Sequence, residues 1–424
     1  MLRACVRGDG GVYIAFQRVL SVRFGEAIVN IDFLYGVLGL GFWGYFAAVI
    51  ISLQITIVCV TVYLHRDAAH RSVDLHPAIR HFARFWIWFT ASMLTREWVS
   101  VHRKHHAKCE TVDDPHSPVI YGLKRILLEG AELYQIQARD PETQEKYGRG
   151  TPDDWLEREV YTRYRNLGII SLIVLDLLLF GVPGIIILSI QLLAMPLLAA
   201  GVINGLGHHS GYRNFECPDA ARNIVPWGVL LGGEELHNNH HAFPSSAKFS
   251  VRSWEFDIGW LWIKIFSALG LAKVIRVAPK LETQAQRKHV DLETVRAVIV
   301  NRMHVLRDYT YDVTLPVFRT ELASAKGKLA RSVKKLMIRE PVLLDESAKL
   351  RLSEALANHQ ALKTVHEFRE RLRVMWNGSN MSNEKLLVHL KEWIAHADAS
   401  GIQALQEFAA RMRGYAMPMA SSAA

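Results

Sequence analysis

The sequence predicts an all-α fold. It reads as an integral membrane helical bundle of about four transmembrane helices plus interfacial helices, capped by a histidine-rich region on the cytoplasmic side and followed by an α-helical C-terminal extension. Three observations predict it. Apolar stretches exceed what a soluble core requires: Phe33 to Leu64 holds 32 residues without a charge, and Leu167 to Leu206 holds 40 with Asp176 as the single charge. Roughly 20 apolar residues suffice to span a bilayer as a helix. Histidines gather at the ends of these stretches, 11 of 19 falling in five tight places. From about residue 280 the chain turns polar, with apolar side chains at helical spacing.

Taken in order, residues 1–32 form an N-terminal segment whose Arg3, Arg7, Arg18 and Arg23 favour a cytoplasmic N-terminus and an even number of crossings. The first 25 residues lack a continuous apolar run, so no cleavable signal peptide is expected. Residues 33–279 form the membrane domain. Within Phe33–Leu64, Gly39, Gly41 and Gly44 would mark the turn of a helical hairpin; the alternative is one tilted span. These glycines also spell GxGxxG, but no strand–helix context surrounds them and no acidic residue follows about 20 positions later, so they carry no dinucleotide site. Phe82–Leu94, rich in aromatics and interrupted by Arg84, suits a helix lying in the membrane interface, as does Trp254–Leu271. Leu167–Leu206 is long enough to cross twice, with Gly181-Val182-Pro183-Gly184 as its turn. Asp176, five residues from that turn, is expected to snorkel to the far interface. Residues 280–424 read as a soluble basic α-helical region, with periodic Leu322, Leu329, Val333 and Leu336, then Val365, Phe368 and Leu372, ending in a small-residue tail, Ala420–Ala424, expected to be disordered.

Composition narrows the function. At 50% hydrophobic and 21% charged residues the chain is not disordered. Four scattered cysteines, Cys5, Cys59, Cys109 and Cys217, make neither a disulfide scaffold nor the close run of an iron–sulfur cluster. The net charge of +9 is uneven: residues 280–424 hold 23 Lys and Arg against 16 Asp and Glu. Arg331, Lys334 and Lys335 are the densest cluster, and such a surface attracts acidic partners or lipid headgroups.

The histidines fall as His65-x4-His70, His102-x2-His105-His106, His116, His208-His209 and His237-x2-His240-His241. In HxxHH on a helix, positions i, i+3 and i+4 share one face, so three rings can converge. One such motif could be a solvated face, but two of them plus a spaced pair at membrane ends point to metal, because unpaired histidines near hydrocarbon are costly. Eight histidines in three boxes exceed one zinc site and suit a dinuclear centre. Carboxylate-bridged bundles use two Glu-x-x-His motifs. Here Glu234 precedes His237, yet no second pair exists. Iron with O2 is the redox chemistry that fits, since zinc has none. A shared centre requires all boxes on one side of the membrane, so Phe82–Leu94 should not cross, and the Leu167–Leu206 hairpin should return His208 to the side of His106.

These motifs resemble those of the membrane-bound fatty acyl desaturases, specifically the acyl-CoA Δ9 (stearoyl-CoA-type) branch and its bacterial relatives, over about residues 40–275. His65-Arg66-x3-His70, His102-Arg103-x-His105-His106 and His237-Asn238-x-His240-His241 are similar to the three histidine boxes. Asn204-x3-His208 with Gly211-Tyr212-Arg213 is similar to a further metal-binding stretch. The resemblance implies ten metal-site residues: His65, His70, His102, His105, His106, Asn204, His208, His237, His240 and His241, with Asn204 acting through water. Asp114-Pro115-His116 would support the site. His209 has no counterpart, and His237 stands where front-end desaturases carry glutamine. The implied chemistry is an O2-dependent di-iron desaturation that leaves a cis double bond in a saturated long acyl chain, on CoA or phospholipid. A related membrane di-iron hydroxylase of alkyl or acyl chains is the alternative. A histidine-rich metal transporter would want ionisable residues along its spans, where only Asp176 lies.

Two electrons per turnover must come from outside, since the chain carries no cluster, dinucleotide or haem motif. The expected donor is a ferredoxin with its reductase. Membrane lipid is a further partner and nucleic acid is not. The expected location is the bacterial inner membrane with the active site on the cytoplasmic side.

Overall fold

The computed structural model describes residues 21–24, 27–30, 32–284, 286–322, 328–377 and 381–418. Arg3, Arg7, Arg18 and the Ala420–Ala424 tail lie outside these, as do the side chains of Arg23, Leu329 and Arg331. The described chain is mostly helical.

The first long helix, α1, runs Phe42–Ala69, 28 residues and roughly 40 Å at 1.5 Å per residue. Its first half is apolar all round, leaving Phe42, Trp43, Phe46, Ile50 and Ile51 exposed, a surface that suits lipid. Its second half, Cys59–Ala69, is buried almost throughout. The hairpin expected within Phe33–Leu64 is not formed. Asp32–Tyr35 make a single short turn, Gly36 and Gly39 take φ of 70° and 47°, and Gly41 directly precedes α1. The glycines shape the entry to one helix, because nothing after Phe42 interrupts helix propagation.

Helices α2 (Pro77–Ala91) and α3 (Thr95–Lys108) follow, then α4 (Leu123–Arg139). The helical hairpin expected in Leu167–Leu206 is present as α5 (Leu167–Phe180) and α6 (Val182–Leu206). Gly181 makes the turn at φ 65°, where an added Cβ would lie 2.1 Å from the Leu34 carbonyl oxygen; only glycine fits. The backbone before α1 bonds to this tip, Val37 N–H to the Leu178 carbonyl at 2.9 Å. The start of α1 and the tip of the hairpin therefore share one end of the bundle, and the histidines share the other. Asp176 does not snorkel: it is 3% exposed, because Gly184 lets α6 lie directly against its backbone.

Of the four spans expected, two helices among the described residues, Phe42–Ala69 and Val182–Leu206, are long and apolar enough to cross a membrane. Leu167–Phe180 and Ile258–Ala268 are apolar but shorter. Helix α2 is not in that set. Trp86 in α2 donates to Thr56 at 2.9 Å, and the α2 backbone at Trp88 closes on Gly168, so α2 packs beside the histidine end.

Two short helices complete the histidine end, α7 (His237–Ala242) and α8 (Ile258–Ala268). Strand Val73–Leu75 pairs antiparallel with Ala272–Val274 and ties the segment after α1 to the one after α8. Tyr63, Leu64, Leu75, Ile87 and Ile263 form the buried core here. A second core lies in the C-terminal helices around Tyr309, Trp393 and Phe408. The periodic Val333, Val365, Phe368 and Leu372 are buried in it, and Leu322 and Leu336 pack against it. This region begins with α9 (Leu292–Val300), whose Asp291 and Thr294 form a capping box, and α10 (Arg302–Tyr309). Its linker is clamped to the chain end by pairing of Glu282–Thr283 with Tyr415–Ala416.

Candidate metal centre

In an ideal α-helix His65 and His70 would point about 140° apart, five residues at 100° each. The last part of α1 is instead widened: the His70 N–H reaches back five residues to the His65 carbonyl at 3.0 Å. Such π turns are frequent at functional sites, and this one brings both rings to one side. Box two lies on α3 and box three on α7. The six residues of α7 could not hold a helix alone, and the asparagines inside the box hold it in place. Asn238 accepts from the Asn214 and Phe215 backbone N–H groups at 2.8 and 2.9 Å. Asn239 donates to buried Glu255 at 2.9 Å.

The nine candidate histidines converge as two groups. His65, His70, His102, His106 and His240 bring ring nitrogens within 4.8 Å of one another, and so do His105, His208, His237 and His241. The three rings of each HxxHH motif do not converge on one place. Each of the two HxxHH boxes gives its i, i+4 pair to one group and its remaining ring to the other, while His65 and His70 both join the first. Asn204, the tenth candidate, lies at the end of α6 and lines the adjoining cavity with His65, His102, His105 and His237.

The spacing fits metal. Nitrogens on one first-row ion at about 2.0–2.1 Å sit roughly 2.9–3.4 Å apart. The observed Nε2–Nε2 distances are 3.0 Å (His65–His240), 2.8 Å (His70–His102), 2.9 Å (His106–His240), 3.2 Å (His105–His208) and 2.9 Å (His208–His237). Hydrogen bonding explains these poorly. Asp114 Oδ1 meets His105 Nδ1 at 2.9 Å while Asp114 also accepts the Glu110 and His116 backbone N–H groups. Glu110 Oε1 meets His208 Nδ1 at 2.9 Å while Glu110 also accepts from Ser117 and the Ala220 N–H. Both carboxylates act as acceptors, so each ring donates from Nδ1 and its Nε2 presents a lone pair. Those lone pairs face each other at 3.2 Å. A proton could bridge one such contact, but His208 Nε2 faces two rings and so does His240 Nε2. One cation per group answers all of them, and it gives a partner to the buried, unbonded Nε2 of His241.

Electrostatics agree. Burial first, then neighbouring rings, hold His102, His106, His237, His240 and His241 well below the usual imidazole range, and His208 behaves likewise. They are neutral at pH 7, the form that ligates. His105 moves the other way: burial lowers it, but the carboxylates of Asp114, Glu110 and Asp219 together raise it. Burial pushes Glu234 up to about 8 and Asp219 up to about 6, values that a bound cation would pull back down.

Carboxylates behind the rings complete the site. Glu234 meets His65 Nδ1 at 2.7 Å and Asp219 meets His241 Nδ1 at 3.1 Å. Sequence spacing pairs Glu234 with His237; the fold pairs it with His65. Glu110 and Asp219 carry no sequence signal, standing in loops outside any box. Of Asp114-Pro115-His116, Asp114 meets His105 Nδ1 and His116 stacks on the same ring at 4.5 Å. His209 points away, exposed and bonded to Ser210 at 2.7 Å. Beside the histidines lies a cavity of about 240 Å³, walled by apolar side chains including Val60, Leu192, Met195 and Ile203. Trp98, in the same wall, stacks on His102 at 4.8 Å.

Residues 40–258 match the family model described as fatty acid desaturase, and all ten candidate residues fall inside that range. Residues 286–423 match a separate model described as transposase. The chain is 29% identical over 236 residues to delta-9 acyl-lipid desaturase 2 of Arabidopsis thaliana, covering 54% of this chain and 73% of that protein. It is 30% identical to delta-9 acyl-lipid desaturase 1 of the same plant over the same shares. To the sn-1 stearoyl-lipid 9-desaturase of Synechocystis it is 31% identical over 225 residues, 52% of this chain and 68% of that protein.

Proposed function

The chain belongs to the fatty acid desaturase family, and from that premise we propose that it uses two iron ions and O2 to place a cis double bond, at the Δ9 position, in a saturated acyl chain. The observation that carries this reading is the sorting of nine histidines into two groups at metal-ligand spacing beside an apolar cavity. The names of the relatives, both plant and cyanobacterial, speak for Δ9 and for an acyl chain esterified to lipid rather than to CoA. His65, His70, His102, His106 and His240 would hold one ion; His105, His208, His237 and His241 would hold the other, with Asn204 reaching it through water. Iron bound there would supply the reduction of O2 that removes two hydrogen atoms from adjacent methylenes. With two electrons and two protons the balance is one double bond and two waters.

The protein supplies position and protection. Apolar walls hold an extended methylene chain and exclude water, so that one carbon pair rests beside the histidines. Asp114, Glu110, Asp219 and Glu234 fix which nitrogen of His105, His208, His241 and His65 faces the ions. The electrons come from a separate carrier, for which a ferredoxin with its reductase is the proposed type. The two apolar helices and the family support a membrane location, and we assign the histidine end to the cytoplasmic side of a bacterial inner membrane. The reaction needs no nucleic acid.

The test is expression in cells lacking monounsaturated fatty acids, with lipids resolved by gas chromatography and mass spectrometry. A cis-9 monoene that disappears in His240→Ala is expected. A hydroxylated acyl chain, or no new product from an iron-loaded protein, would refute the proposal.

A further inference from the structure

A second cavity, of about 600 Å³, lies at the seam between the histidine end and the C-terminal helices. Four cations stand in its wall, Lys248, Lys280, Arg307 and Arg411, against one carboxylate, Asp308. Arg307 pairs with Asp308 and Arg411 with Asp312. Lys248 and Lys280 have no ion-pair partner among the described residues. Two further wall residues carry buried polar atoms with no hydrogen bond among the described residues, His304 Nε2 and the Tyr415 hydroxyl. Buried polar groups are ordinarily paired, so the pocket is built for an anionic ligand with polar groups of its own.

The rim identifies the kind of ligand. Trp260 is in the wall, and from the next residue Leu261, Ile265 and Leu269 form an exposed stripe at four-residue spacing along α8. Val277, also in the wall, is exposed too. An aromatic and an apolar stripe beside a basic recess is the pattern of a helix lying in a membrane interface. We infer that this pocket binds the headgroup of an anionic phospholipid, its phosphate among Lys248, Lys280, Arg307 and Arg411 and its acyl chains along the Leu261–Leu269 stripe. The site would join the two parts of the chain to the bilayer. It also adjoins the end of α7, since His304 stacks on Phe243, two residues past box three, at 5.0 Å.

The test uses the full-length protein, stripped of lipid in detergent and titrated with short-chain phosphatidylglycerol, with phosphatidylcholine and with inorganic pyrophosphate, while thermal unfolding is followed. Phosphatidylglycerol should raise the unfolding midpoint and phosphatidylcholine should not. The double variant Lys248→Gln/Lys280→Gln should need about tenfold more phosphatidylglycerol for the same shift, with its iron content unchanged. Lys280→Gln alone, at an exposed position, should give part of that loss if the double variant fails to fold. Equal responses to the two lipids, or an unaltered response in both variants, would overturn the inference. Pyrophosphate reproducing the whole effect would also overturn it, assigning the pocket to a free phosphate compound.

Discussion

Four carboxylates each hold one imidazole by its Nδ1, and the lone pairs that result make the two histidine groups a place for cations. Asp114→Asn keeps the size of the side chain while removing the charge that orients His105. Losing such an orienting partner typically costs about 10–100-fold in metal affinity or activity, so iron titration of this variant should show weaker binding with an unchanged thermal midpoint for the iron-free protein. His208→Ala and His209→Ala make a paired test of adjacent residues. The first should lose iron and product, and the second should lose neither, because His209 is exposed and bonded only to its neighbour. At this scale the sequence was legible where spacing alone carried the chemistry. The boxes, Asn204–His208 and the exclusion of His209 follow from periodicity and family pattern. Glu110 and Asp219 could not be read, because they reach His208 and His241 from loops 98 and 22 residues away in the chain.

Elements meet at the histidine end through a buried ion pair. Arg66, inside box one, is fully buried and donates to Asp257 at 3.0 Å. Its guanidinium lies 3.9 Å from the centre of the Phe249 ring. Asp257 in turn caps α8 through the Trp260 N–H and accepts the Phe249 N–H. Arg66→Ala would strand that carboxylate in the core, a change that costs about 3–5 kcal/mol, and should appear as a large fall in the thermal midpoint. Removing both partners as Arg66→Met/Asp257→Leu should restore part of it. The α5–α6 hairpin was legible because its glycine–proline turn interrupts an apolar run twice the length of a span. The first apolar stretch misled for the opposite reason: Gly39 and Gly41 precede the helix and Gly44 sits in its first turn, so none of them divides it. The widening of α1 between His65 and His70 was out of reach, since it depends on packing against α2 and α3.

At the scale of the whole molecule, the start of α1 and the α5–α6 tip mark one end and every candidate ligand the other. If the helices cross a bilayer, single cysteines at Ala78 and Ala107, both exposed at the histidine end, should be labelled from the cytoplasmic face. One at Val37, exposed beside the hairpin tip, should be labelled from the opposite face. Labelling of Ala78 and Ala107 from different faces would break the topology. The number of crossings was not legible, because hydropathy counts apolar residues without knowing where the chain turns. The role of the C-terminal helices was not legible either: periodicity gives a packed core, and only the folded seam with α8 shows what that core adjoins.

The proposed chemistry requires two metal ions in one chain, and iron counting tests that requirement most directly. Full-length protein from iron-replete cells, purified in detergent, would be analysed by inductively coupled plasma mass spectrometry against protein quantified by amino-acid analysis. Two iron ions per chain are predicted, falling in both His106→Ala and His237→Ala, one ligand from each group. One iron per chain, stoichiometric zinc in its place, or full iron content in either variant would contradict the two-group centre.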